Sequence, residues 1–364
     1  MNIIIFLIIL VLLILVHEFG HFIVAKKSGI RVDEFGLGLP PRLFGKKFGE
    51  TLYSINALPF GGFVKIFGEN PDDEKDADSQ NLGRSMAHKS RWTQAAVLAA
   101  GITFNLLFAW LIISVGLMFG LPTAVDPTNA ADVRDAKVVI SSVMPKSPAE
   151  AAGLKTGDIL RTLETDEKLL AENLSPESVK NFIGTSREQI NVSFERGGAV
   201  TETKVLAADG IISESKAVGI TMEMIGILKL PVHKALLEGS LMTGRLTQNI
   251  AIGIFYFFRD AILGRADLTQ VAGPVGMVAL VGDARVLGVP YLVFFAALIS
   301  INLAIINLIP FPALDGGRLF MLLIEAIKGS PIKPKLVNAV NAVGFFVLIT
   351  LMLLVTWNDV LKLF

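Results

Sequence analysis

Four stretches of this 364-residue chain are apolar for long enough to cross a bilayer, which takes about 20 residues. Residues 2–24 begin NIIIFLIILVLLILV. Residues 93–121 read TQAAVLAAGITFNLLFAWLIISVGLMFGL, and residues 287–309 and 339–361 complete the set. The third stretch runs into PFPALDGGRLFMLLIEAI, where Pro310 and Pro312 should break the helix. Irregular backbone at membrane depth survives only where it is buried in protein or lines a cavity. Residues 51–67, TLYSINALPFGGFVKIF, mix β-branched and aromatic residues around Pro-Phe-Gly-Gly and predict a hairpin. Its Phe60, Phe63, Ile66 and Phe67 are suited to dip into the membrane. The acidic run at 69–80 reads as a solvated loop.

Residues 130–226 carry a different pattern, that of a small soluble domain. VVISSV at 138–143 predicts a strand, and Ser147-Pro148-Ala149 opens a short helix that Gly153 ends. Another strand starts at Asp158. SPESVKNFIG at 175–184 has a cap, a first-turn Pro and a terminal Gly. INVSFER, Gly197-Gly198 and VTETKVLA form a hairpin, and VGITMEM at 218–224 a last strand. Within 227–286, NIAIGIFYFFRDAIL is apolar but interrupted by Arg259 and Asp260, which predicts an interfacial segment. The expected fold class is a polytopic α-helical membrane protein with about four spans. A membrane-associated β-hairpin and an inserted α+β domain complete it. Its parts are residues 1–121, 130–226, 227–286 and 287–364.

Composition agrees: the chain is 52% hydrophobic and only 18% charged, more apolar than soluble domains usually are. Net charge is zero, so no nucleic-acid partner is indicated. There is no cysteine, which excludes disulfides, thiolate metal ligands and a cysteine nucleophile. The first segment lacks a basic leader and a small-residue cleavage site, so it is expected to be retained. Lys26, Lys27 and Arg31 follow the first span, Arg84, Lys89 and Arg91 precede the second, and Arg318, Lys328, Lys333 and Lys335 follow the Pro break. By the positive-inside rule these segments face the cytoplasm. Both termini and the 122–286 region then face the other side.

The chemistry lies in HEFGH at 17–21, inside the first span. His17 and His21 are four residues apart, so a helix puts both imidazoles on one face, where they reach one Zn²⁺. Glu18 between them suits the general base of zinc hydrolysis. Three ionisable groups within five membrane residues need a functional reason. At 1.5 Å per residue His17 lies about 22 Å from Asn2, nearer the cytoplasmic face. A catalytic zinc normally has three protein ligands and one open position. Asp315 is the expected third ligand, with Gly316 and Gly317 allowing the chain to bend. The competing reading for Asp315 is a helix cap, and Glu325 is the alternative ligand. Asn302 and Asn105 are suited to bonding neighbouring helices. Asn307, beside the break, is placed to hold a substrate backbone or polarise its carbonyl.

These residues resemble the site-2 protease family of intramembrane zinc metalloproteases, of the bacterial RseP type. HEFGH at 17–21 and NLIPFPALDGG at 307–317 are the most specific matches. FGGFVKIFGE at 60–69 is similar to the family's membrane-associated hairpin and GITFN at 101–105 to its second-span motif. SPAEAAGLKTGDIL at 147–160 is similar to the opening of a PDZ domain, and GPVGM at 273–277 also matches. The resemblance spans essentially the whole chain, which departs from the enterobacterial type in having one PDZ-like domain instead of two. It implies that His17, His21 and Asp315 bind Zn²⁺ and that Glu18 is the base. It implies cleavage of transmembrane protein substrates, such as anti-sigma factors or remnant signal peptides, in a bacterial plasma membrane. It also implies that the hairpin pairs with unwound substrate, through Gly61, Gly62, Phe63 and Val64, with Asn105 and Asn307 near the substrate. Membrane lipid is the second partner, and a peptide or ectodomain meets the PDZ-like domain. Two other readings compete: a PDZ-bearing membrane adaptor with a structural zinc, and a zinc or proton transporter. The intact Glu18 and the mostly clean spans argue against them.

Overall fold

In the computed structural model, residues 1–69, 82–126, 129–212, 215–265 and 271–361 are described. The acidic run expected to be a solvated loop lies outside them, apart from Glu69. The chain divides into two compact units. One comprises Met1–Ile113, Glu238–Val281 and Phe295–Phe364, the other Ser114–Leu237 and Gly282–Phe294.

The first unit begins with helix α1 (Asn2–Lys27), which is apolar around its circumference up to the HEFGH turn. Two strands follow, β1 (Val32–Phe48) and β2 (Thr51–Ile66), and then α2 (Arg91–Phe119). The hairpin is larger than the sequence predicts. Its tight turn is at Gly49-Glu50, with Gly49 at φ +63°, and the Pro-Phe-Gly-Gly run lies inside β2. Phe35 has both Tyr53 and Val64 as partners, and Gly36 both Ser54 and Phe63. The first part of β1 thus lies between two stretches of β2. Ile66 and Phe67 are not lipid-facing: they are 4% and 1% exposed. Arg31 stacks over the Phe67 ring at 3.8 Å. The Phe60 side chain lies outside the described residues.

The second unit is built on a sheet. After β3 (Leu121–Ala124) come β4 (Val133–Val143), helix α3 (Pro148–Ala151), β5 (Ile159–Glu164), β6 (Leu169–Leu170) and α4 (Pro176–Thr185). Then follow β7 (Ile190–Arg196), β8 (Ala199–Val205), β9 (Ala208–Ile212), β10 (Ser215–Ala217) and β11 (Ile220–Leu228). The main sheet has the order β3-β11-β4-β5-β7-β8, with β6 beside β5. Ser147 caps α3, and Ser175 and Ser178 form a reciprocal capping box on α4. Apolar positions of β4, β5, β7 and α4, including Ile140, Leu163, Val179 and Ile190, fill the core. At its edge the buried Asp158 accepts two bonds of 2.6 Å from the fork of Arg196.

Four helices are then found in order: α5 (Val232–Ile262), α6 (Pro274–Leu287), α7 (Val289–Leu308) and α8 (Asp315–Lys328), before the last, α9 (Pro334–Leu361). Among the described residues, α1, α2, α7 and α9 are long and apolar enough to cross a membrane. The second of these ends at Phe119, and Leu121 belongs to a strand instead. The segment expected to be interfacial forms the 31-residue α5 and the 14-residue α6. Helix α5 is about 46 Å long but carries Glu238, Arg245, Arg259 and Asp260, and is not among the four candidate spans. In the first unit Asp359 of α9 accepts a 2.7 Å bond from the Gly276 N–H in the first turn of α6. A Cβ at Gly273 would lie 2.8 Å from the same carboxylate, which accounts for both glycines of GPVG.

Candidate metal centre

The HEFGH turn is helical, so His17 and His21 stack one turn apart with ring centroids 4.8 Å apart. Both are buried, at 8% and 7% exposure. Packing against α2 is unusually close because both helices carry glycine at the crossing. A Cβ at Gly20 would meet the Ala100 carbonyl at 2.6 Å, and one at Gly101 would meet His17 Cε1 at 2.6 Å.

The third acid arrives through the break after α7. Pro310 and Pro312 cannot continue a helix; Ala313 takes φ +73°, and its N–H donates to Asn341 Oδ1 of α9. Glycine is required where the chain folds back. A Cβ at Gly316 would lie 2.3 Å from the Leu308 carbonyl, and one at Gly317 2.1 Å from that of Phe311. Asp315 is the first residue of α8, yet no side chain caps that helix. Instead Asp315 Oδ2 lies 3.0 Å from His17 Nε2 and 3.2 Å from His21 Nε2. The two Nε2 atoms are 3.2 Å apart. Glu325 is elsewhere, accepting the Ile332 N–H at the far end of α8.

These three atoms fit a zinc ion. Tetrahedral ligands at ordinary zinc distances sit about 3.3 Å from one another. His21 Nδ1–H donates to the Val97 carbonyl at 2.8 Å, which leaves a lone pair on Nε2. His17 Nδ1 lies 3.2 Å from the Asn105 amide, whose Oδ1 is buried without a partner among the described residues. Turning that carboxamide over lets Oδ1 accept His17 Nδ1–H and leaves Nε2 as a second lone pair. Asp315 Oδ2 is likewise buried without a hydrogen-bond donor. Three acceptors converging within 3.2 Å repel one another unless a cation joins them.

Glu18 faces a cleft of about 380 Å³, shared with the two histidines, Asp315, Phe63 and Val64. The Val64 N–H is directed at the Glu18 carboxylate, and a Cβ at Gly62 would lie 3.2 Å from Glu18 Cγ. The structure therefore brings Gly62, Phe63 and Val64 to the metal centre. Gly61 is farther out, against Leu39. Asn105 is beside His17. Asn307 is not among the residues lining that cleft, and its amide donates to the Leu303 carbonyl of its own helix at 3.0 Å. Asn302 does the same to Leu298. Sequence reasoning missed Val97, Gly101, Glu69, Asn341 and Arg318. Of these, Gly101 lies in the GITFN motif and Arg318 directly follows LDGG, so proximity to a motif was the available signal.

Comparison with known proteins adds independent evidence. Residues 5–351 match peptidase family M50. A Clostridium perfringens protein provisionally named a zinc metalloprotease is 37% identical over 351 residues, 96% of this chain and 95% of that protein. The zinc metalloprotease RasP of Shouchella clausii is 30% identical, with 99% and 98% covered. The zinc metalloprotease RasP of Geobacillus kaustophilus is 29% identical, with 100% and 98% covered. With a family match over nearly its whole length and two histidines and an aspartate brought within reach of one metal ion, the chain belongs to peptidase family M50, the site-2 proteases its motifs resemble.

Proposed function

We propose that this intramembrane zinc metalloprotease cuts peptide bonds within or next to transmembrane segments of other membrane proteins, with His17, His21 and Asp315 holding the metal and Glu18 as general base. One observation carries the reading: two imidazole nitrogens of the candidate span α1 and the carboxylate oxygen that opens α8 converge within 3.2 Å, beside Glu18 in the same cleft. Bound zinc supplies Lewis-acid polarisation of a carbonyl and activation of water. Glu18 takes the proton of the attacking water on its carboxylate, and the Val64 N–H orients that carboxylate. The new C–O bond forms, the C–N bond breaks, and the Glu18 proton passes to the leaving nitrogen. Val97 and Asn105 fix the tautomers of the two histidines from behind.

A peptide bond inside a helix is shielded by its own hydrogen bonds. The Gly62–Val64 stretch of β2 pairs with β1 on one side only among the described residues. We assign it the role of an edge to which unwound substrate adds as a strand. The inserted domain at 130–226 is read as PDZ-like. A groove of about 380 Å³ between α4 and β11, lined by Lys180, Ile183, Val218, Gly219 and Ile220, supports peptide contact there. Residues 1–121 and 287–364 form the membrane parts, and 227–286 the amphipathic connection, which touches lipid. Basic residues at the span ends support a topology with both termini and the PDZ-like domain outside the cytoplasm.

The deciding experiment compares purified wild type with Glu18→Gln on a single-span reporter protein. The variant should keep its zinc and lose about 10²–10⁴ in rate. Near-normal cleavage by Glu18→Gln would overturn the mechanism.

A further inference from the structure

Arg318 is one helical turn beyond Asp315 on α8 and lines the same cleft as His17, Glu18, His21 and Asp315. It is the cationic side chain among those lining residues. Its ion-pair partner is Glu69, which follows the end of β2 and is met through Nη1. The arginine side chain is one-third exposed, and its planar fork carries more donors than one ion pair through Nη1 uses. Glu69 is itself held in place, because its N–H donates to the Ile66 carbonyl at 3.2 Å.

Hydrolysis places negative charge on the scissile carbonyl oxygen and ends with that oxygen in a carboxylate. The cleft needs a donor for it. Asn307, the candidate from sequence, donates into its own helix, and Asn105 faces His17. We propose that Arg318 is the anion-binding residue of the cleft, oriented by Glu69, holding the scissile oxygen as it gains charge and then the carboxylate of the released product. The inference rests on the proteolytic reading above. Arg318 keeps its own protons throughout.

The test uses the full-length chain in detergent and a labelled apolar peptide ending in either a free carboxylate or an amide. With zinc removed by chelation, anisotropy reports binding free of any metal contribution. Wild type should bind the carboxylate form about 10-fold tighter than the amide. Arg318→Gln should lose that preference and bind the amide form as before. In the zinc-loaded protein Arg318→Gln should keep its zinc and KM while kcat on the single-span reporter falls about 10²–10³-fold. The reversed pair, Glu69→Arg with Arg318→Glu, retains the ion pair but moves the cation. It should hold its zinc and remain slow. A reversed pair with restored kcat would make the two residues a mere strut and overturn the proposal. So would an unchanged carboxylate preference in Arg318→Gln, or none in wild type. If wild type shows the preference but cleaves no reporter, the anion site stands and the proteolytic reading fails.

Discussion

A Cβ added at Gly101 would sit 2.3 Å from Nε2 of His21, on the nitrogen that faces Asp315. No side chain of any size fits between α2 and the histidine pair. Alanine is the better helix former by about 1 kcal/mol, so Gly101→Ala should fold. It should nonetheless displace His21 and lose bound zinc. Gly116 on the same helix is the control, since a Cβ there meets side-chain carbons of Leu121 and Val293 and no histidine. Metal analysis of both variants after dialysis checks this; full zinc in Gly101→Ala would refute the packing argument.

Asn105 should act on the metal through His17. Replacing an outer partner of a ligating histidine typically costs 10–100-fold in metal affinity or activity. Asn105→Ala is expected to fall in that range, whereas Asn105→Asp keeps an acceptor for His17 Nδ1–H and should hold zinc nearly as well. Competition with a chelator measures both. Equal affinities for wild type and Asn105→Ala would mean that Asn105 bonds only to its neighbours.

Much of the centre was legible because its parts are local. The four-residue spacing of HEFGH fixes two ring positions on any helix, and two prolines before LDGG announce a break. The partners that complete the site were not legible. The Val97 carbonyl has no side-chain signature, and Gly101 is significant only through what α1 places opposite it. Strand β1 was missed because VDEFGLGLPPRLFGKKF is rich in Gly, Pro and charge and poor in β-branched residues, which reads as loop. The Gly61-Gly62 pair looked like a turn. Gly62 is instead small so that β2 can approach Glu18, a tertiary cause that local propensity does not register.

Glu50 gives a pH-dependent contribution outside the spans. Hydrogen bonds from Arg84 and then Lys26 hold its carboxyl at about 2, well below the ordinary 4.5. A depressed acid stabilises the fold above its unfolded pKa, and that stability is lost as pH falls towards the folded one. The three side chains are partly exposed, so their contribution is about 1 kcal/mol. Thermal unfolding of wild type and Glu50→Gln should therefore differ near neutral pH and converge as pH drops from about 4.5 towards 2. A gap that stays constant across that window would show that Glu50 acts by packing alone.

Adjacent residues of β2 should respond differently to proline. Successive N–H groups of a strand point to opposite sides. The Val64 N–H is directed at Glu18, so that of Phe63 faces β1, where Gly36 is its partner. Proline removes the donor and cannot join a ladder. Phe63→Pro should therefore damage the hairpin, reducing expression and zinc together. Val64 is paired with Phe35 of β1 but directs its N–H at Glu18, so Val64→Pro should disturb that ladder less than Phe63→Pro. The Val64 variant should keep near-normal zinc yet lose about 10²-fold in cleavage, because Glu18 loses its orienting bond and the edge can no longer receive substrate evenly. Val64→Ala retains the N–H and should be mild. Expression, zinc and cleavage measured on the same preparations separate these outcomes. If Val64→Pro cleaves the reporter as fast as wild type, neither the orienting bond nor strand addition at this edge contributes to the reaction.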